Sequence, residues 1–229
     1  MNIRTFTAEA LLGPLNEVER KLAPKCLFVA GDTGLFERGP RVSVVGSRKA
    51  TRGGLELAAQ VAGRLAKLGV VVVSGMAEGV DAAAHEAALA IGTRTLAVLG
   101  TPLDQAYPTR NAALQARIIR EHLAISQFEV GSKVFPGNFP ARSRTMALVS
   151  DATIIVEAGE KSGTVHQGWE AIRLGRPLLL MERVTSDPKL SWPEEMMRYG
   201  AEAASLESLD TLVELLPQRT DVEASALPF

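Results

Sequence analysis

What most constrains this chain is a regular alternation of two kinds of segment. Six short aliphatic or β-branched runs recur: Val42 to Val45, Val70 to Val73, Thr95 to Leu99, Leu123 to Ser126, Thr153 to Val156 and Pro177 to Met181. Between them lie stretches with apolar residues at helical spacing: Leu55 to Lys67, Val80 to Ala90, Asn111 to Glu121, Phe139 to Val149 and Val165 to Leu174. Strands apolar on both faces and separated by helices predict an α/β fold with a doubly wound, mostly parallel sheet. Functional groups in such sheets collect at the carboxyl ends of the strands. Residues 1–40 read as a helical lead-in and loop, 41–216 as one core domain closing on a small helix from Ser205, and 217–229 as a flexible tail.

Composition bounds the function. The 229 residues suffice for one large α/β domain, and 25 basic against 26 acidic residues exclude a polycation. Any nucleic-acid binding must then come from a local patch. A single cysteine, Cys26, excludes an internal disulfide framework and fits a reducing cytoplasm. No signal pattern is visible, and no apolar run approaches the roughly 18 residues that would span a membrane. A cytoplasmic protein without membrane attachment is expected.

The unusual residues fall at strand ends. Val42-Ser-Val-Val-Gly-Ser-Arg48 runs a buried strand into a glycine turn and a helix, the arrangement that presents backbone N–H groups to a phosphate. Gly46 permits the turn, while Ser47, Arg48 and Lys49 place a hydroxyl and two cations at its mouth. The GxGxxG fingerprint is missing, so no dinucleotide is implied and no cofactor is expected. After the second strand comes Ser74-Gly75-Met-Ala-Glu-Gly-Val-Asp81, with His85 one helical turn beyond Asp81. Two readings stand open: Asp81 accepts from a ligand with His85 supporting it, or Asp81 is a helix-start carboxylate and His85 an interior histidine. No third ligand lies near, so no metal site is expected. Tyr107 reads equally as a base-stacking ring or a packing residue.

Phe135-Pro-Gly-Asn-Phe139-Pro-Ala-Arg142-Ser-Arg144, with Lys133 ahead of it, combines stacking surface with phosphate-reading guanidiniums and suits single-stranded nucleic acid. Ser162-Gly163-Thr164 opens a helix as a second phosphate cradle, followed by His166, Gln167 and Glu170. Glu157 ends a buried strand, where a carboxylate is costly unless it holds a ligand or a neighbouring loop.

Together these motifs resemble the DprA/Smf DNA-processing family. The resemblance spans about residues 25–210 and rests on Val45-Gly-Ser-Arg48, Ser74-Gly-Met-Ala-Glu-Gly-Val-Asp81 through His85 to Leu89, Ala97-Val-Leu-Gly100 with Tyr107-Pro108 and Asn111, Pro136-Gly-Asn-Phe-Pro-Ala-Arg-Ser-Arg144, and Glu157-Ala with Ser162-Gly-Thr164. It implies an extended Rossmann-like core that binds single-stranded DNA in DNA processing, recombination or uptake, with RecA as a partner and a homodimer as the assembly. It also implies that Arg48, Arg142 and Arg144 contact the strand. The chain departs from the family pattern at Pro102, Gln127, His166-Gln167-Gly168 and Met181-Glu182.

A second reading makes the protein an N-glycosidase, a base-removing enzyme acting on a nucleotide or on modified DNA in phage defence. It rests on similarity to the lonely-guy phosphoribohydrolases. Asp81, Glu129, Glu157 and Glu170 are its candidate carboxylates and His85 or His166 its proton carriers, although Gln167 stands where those enzymes carry a glutamate. A third reading is a nucleotide sensor, which would bind a mononucleotide without turnover.

Overall fold

The computed structural model describes residues 1–217; the expected flexible tail therefore lies, but for Pro217, outside the described residues. Nine strands form one sheet: β1 (Ile3–Phe6), β2 (Leu27–Gly31), β3 (Arg41–Gly46), β4 (Val71–Ser74), β5 (Thr95–Leu99), β6 (Leu123–Ser126), β7 (Ala152–Glu157), β8 (Leu178–Met181) and β9 (Glu202–Ala204), in the order β1-β2-β6-β5-β4-β3-β7-β8-β9. All pairs from β6 across to β9 are parallel, while β1–β2 and β2–β6 are antiparallel. The helices are α1 (Ala8–Leu12), α2 (Glu17–Leu22), α3 (Arg52–Lys67), α4 (Val80–Ala90), α5 (Ala112–Glu121), α6 (Asn138–Val149), α7 (Gly163–Arg173), α8 (Glu182–Thr185), α9 (Trp192–Arg198) and α10 (Ser208–Leu215).

Strand alternation divides the core into two layers. On one face Val42, Val44, Val72 and Ile154 meet Ala58, Val61 and Leu65 of α3, Ala84 of α4 and Leu209 of α10. On the other, Val45, Val71, Val73 and Ile155 meet Met146 and Val149 of α6 and Trp192 and Met196 of α9. Both faces of the central strands are thus dry, which is why their sequences read as unbroken apolar runs rather than alternating ones. Helix α3 begins where the Thr51 hydroxyl accepts from Gly54 N and is followed by Gly69 at φ +78°, a start and stop the sequence encodes locally.

The chain lays β3 to β6 outward on one side, then crosses through α6 to place β7 on the other side of β3. The switch point is therefore β3/β7, and a crevice must open above their carboxyl ends. The expected helical lead-in is only partly helical, since residues 1–40 also carry β1 and β2, which extend the sheet beyond β6. The apolar run Leu27-Phe-Val-Ala resembles the other strands, but only a short 3-10 turn, Thr33–Glu37, and no α-helix separates it from β3, so the strand–helix alternation does not reveal it. Helix α10 packs Leu209 and Leu212 into its own domain and leaves Leu215 exposed. Among the described residues no helix is long and apolar enough to cross a membrane.

Candidate functional site

A cleft of about 600 Å3 opens at the switch point, and a smaller chamber of about 200 Å3 adjoins it towards β5. Arg48, Lys49, Phe139 and Arg142 line both chambers. Arg142 occupies the floor between them. Its side chain is buried, with Nη1 3.6 Å from Asp81 Oδ2, beyond hydrogen-bond reach. Neither Nε nor Nη1 has a hydrogen-bond partner among the described residues. Burial pulls the Arg142 guanidinium down from its ordinary value, while the charge of Asp81 pulls it back up. Burial likewise raises Asp81, against the opposing pull of Arg142 and the Ala77 amide.

Glycines shape this floor. Arg142 lies where a Gly75 side chain would be, and the Phe139 ring lies 2.7 Å from a Cβ built on Gly100. Met76 then takes a left-handed φ of +64°, and Asn111 Nδ2 clamps the strained turn by donating to the Met76 and Ala77 carbonyls at 2.9 and 3.2 Å. Above the floor, the Arg48 guanidinium sits 5.2 Å from the Phe139 ring centre, and Tyr107 meets the same ring at 5.4 Å. These groups form a column of one cation and two rings beside a buried guanidinium whose only ionic partner, among the salt bridges of the described residues, is Asp81.

The two turns offer less free backbone than the sequence suggests. Ser47 N donates to the Glu157 carbonyl at 2.6 Å and Lys49 N to Ser47 Oγ at 3.1 Å. The Gly46 turn therefore presents mainly the side chains of Ser47, Arg48 and Lys49. At α7, Ser162 Oγ accepts from Thr164 N, and the Thr164 hydroxyl donates to the Gly46 carbonyl at 2.9 Å, tying the two turns together. Gly46 itself is excluded from carrying a side chain by Val80 Cγ2, 2.6 Å from where a Cβ would stand. Gly163 faces open space, and exposed Lys161 lies beside it on the cleft wall with His166 and Gln167.

Several expected residues stand elsewhere. Ser74 is buried and donates to the Val44 carbonyl at 2.7 Å, joining β3 to β4. His85 bonds Thr95 on β5 at 2.7 Å, away from the cleft lining. Lys133 is exposed on the loop after β6 and lines neither chamber. Arg144 turns towards α7, where its Nε lies 3.5 Å from Glu170 Oε2. Residues two apart on a helix point away from each other, so the helix that carries Arg142 into the cleft carries Arg144 out of it. The sequence reading missed Lys161, which directly precedes the Ser162-Gly163 helix start, the signal that would have found it.

The carboxylates are engaged as counter-ions. Glu157 accepts from Thr51 N, Thr51 Oγ1 and Arg183 Nε at 2.7 to 2.8 Å, and those bonds hold it below the usual carboxylate range against the opposing effect of burial. Glu170 is fully buried amid Arg144, Arg173 and His166, each 3.4 to 3.5 Å away. Gln167, with its amide turned to suit its surroundings, donates to the Ser143 carbonyl at 2.6 Å and accepts from Ala147 N, linking α7 to α6. Asp81 is the one carboxylate on the wall of the larger chamber among the described residues. The paired acid and base that glycosidic cleavage requires are not brought together, so the geometry does not support that reading.

The chain matches the family model of DNA recombination-mediator protein A over residues 9–217. It is 36% identical over 179 residues to DNA processing protein DprA of Streptococcus pneumoniae, covering 78% of this chain and 63% of that protein. It is 44% identical over 126 residues to protein Smf of Synechocystis, covering 55% of this chain and 32% of that protein. The chain thus spans less than two thirds of the length of these curated relatives. A solved structure of DNA processing protein A from Helicobacter pylori, from a study of its single-stranded DNA binding mode, superposes with a TM-score of 0.79 at 28% identity. That superposition covers 94% of this chain and 97% of the other. The chain belongs to the DNA recombination-mediator protein A family, the DprA/Smf proteins.

Proposed function

We propose that the cleft binds single-stranded DNA, gripping a backbone phosphate on Arg142 and stacking a base on the Tyr107–Phe139 rings. The observation that carries this reading is Arg142, a buried guanidinium on the cleft lining whose Nε and Nη1 make no hydrogen bond and whose ion-pair partner Asp81 stands 3.6 Å away. Such a group is costly unless an anion completes it. Arg48, Lys49 and Lys161 at the mouth supply further phosphate contacts, and the rings supply sequence-tolerant stacking. Membership of the family favours the same ligand. On that membership we propose also RecA as the recipient of the strand, a homodimer as the assembly and the cytoplasm as the place of action; co-sedimentation with RecA and light scattering check the first two.

The test is titration of labelled oligo(dT) at several salt concentrations. Arg142→Ala should weaken binding by about 10- to 100-fold, the cost of a charged hydrogen bond. Arg48→Ala and Arg142→Ala should each flatten the logarithmic salt slope by about 0.7, one phosphate contact on a single strand. Failure of the wild type to retain single strands, or slopes unmoved in both variants, would overturn the proposal.

A further inference from the structure

Phe135 belongs to the loop that leads into α6, four residues before Phe139 of the cleft wall, and takes no part in lining either chamber. It is 60% exposed, an expensive state for a large apolar ring. Among the described residues three aromatic side chains are this open: Tyr107, Phe135 and Tyr199. Tyr199 packs edge-on against Trp169 with ring centres 5.4 Å apart. The other two both belong to loops at the carboxyl edge of the sheet, and Tyr107 already contributes to the ring column.

The backbone that carries Phe135 is also anchored. The Phe135 carbonyl accepts from Asn138 N at 2.9 Å, and the following Pro136 carbonyl accepts from Phe139 N at 3.4 Å, so one hydrogen-bonded turn separates Phe135 from the Phe139 ring. Asn138 is buried at the start of α6, which anchors the turn. On its other side, Gln105 Nε2 donates to the Ser132 carbonyl at 3.1 Å, stitching the loop that carries Phe135 to the loop that carries Tyr107. Exposed Lys133 lies two residues before it. A solvent-facing ring on an anchored backbone turn, two residues from a cation and one turn from a stacking column, matches the pattern by which proteins follow a single strand: bases on rings and phosphates on cations.

We infer that Phe135 is a second base-stacking platform, which extends the strand footprint outward from the phosphate grip by at least one nucleotide. The inference rests on the reading of the cleft as a single-strand site. The Phe135 ring carries no charge, so its contribution adds affinity without altering the count of phosphates neutralised.

The test is fluorescence anisotropy with fluorescein-labelled oligo(dT) from 3 to about 12 nucleotides, at several salt concentrations. In Phe135→Ala the longer oligonucleotides should bind about 5- to 100-fold more weakly, the span measured for removing one base–aromatic stack. The shortest should be unaffected, and the salt slope should stay at the wild-type value. Phe135→Trp should restore the long-strand affinity and show quenching of the added indole on binding. If the wild type binds no strand at any length, the single-strand reading of the cleft fails. If the wild type binds and Phe135→Ala changes nothing, or weakens all lengths equally, the cleft stands and the second platform is overturned.

Discussion

Gly75 has no room for a methyl group: a Cβ built there would lie 1.1 Å from Arg142 Nη1 and 2.7 Å from Asp81 Oδ2. Gly75→Ala must therefore expel the guanidinium from the cleft floor and disturb the buried pair at once. The expected outcome is a loss of oligo(dT) affinity comparable to Arg142→Ala, with a fall in stability of about 3 kcal/mol from the broken pair. In an Arg142→Ala background the same glycine substitution should cost much less, because the group it strikes most closely is gone and only the Asp81 oxygen, 2.7 Å away, must yield. A double-mutant cycle measures that coupling, and simple additivity would sink the steric account. At this scale the sequence shows that something approaches Gly75 closely, since two glycines follow a buried strand. It does not show that the visitor is Arg142 of the chain itself, because that contact joins residues 67 positions apart in the sequence. Nor does it separate Arg142 from Arg144 until the helix register around them is known.

Among the elements, β5 and α4 fall on the bounds their periodicity predicts, Thr95–Leu99 and Val80–Ala90. The buried parallel strands are legible because burial on both faces writes itself as an apolar run. Strands β1 and β9 are not, since Ile-Arg-Thr-Phe and Glu-Ala-Ala sit at the sheet edges, where one partner strand and the solvent share the pairing. Glu157 shows what joins elements once they form. Its carboxylate at the end of β7 takes the amide and hydroxyl of Thr51, the residue that caps α3, and the Nε of Arg183 on α8. Of the two roles the sequence leaves open for it, ligand holder or loop holder, the structure shows the second. Glu157→Ala should cost about 2–3 kcal/mol, a charged network losing its acceptor, and should speed amide exchange at the start of α3. Hydrogen exchange resolved by segment checks this; protection at residues 51–55 unchanged from wild type would refute it.

The whole molecule is a sheet between two helical layers, and that burial decides how it responds to acid. His85 is wholly enclosed between α4 and the sheet. The Thr95 hydroxyl donates its one hydrogen to the Val72 carbonyl at 2.8 Å, so at 2.7 Å it must accept from His85 Nδ1–H, which fixes the Nδ1–H tautomer of the neutral ring. Burial pushes the folded-state pKa down to about 3 from an ordinary 6.5. Between those values the unfolded chain binds a proton that the folded chain refuses, so stability is complete above pH 6.5 and drains away as pH falls. The slope approaches about 1.4 kcal/mol per pH unit, and the full window amounts to at most about 5 kcal/mol, a large share of a domain's ordinary stability. Asp81 works in the opposite sense, because its raised pKa lets the folded state take up a proton first and gain stability as pH falls. Glu157, held low, loses its contribution only below the ordinary carboxylate range, so pH 5 to 6.5 isolates the imidazole from it. Denaturant unfolding at pH 7.5, 6 and 5 should show wild-type stability falling across this window. His85→Asn starts lower, having lost packing, but should follow a flatter line. Parallel lines for the two proteins would mean that the acid sensitivity resides in some other group.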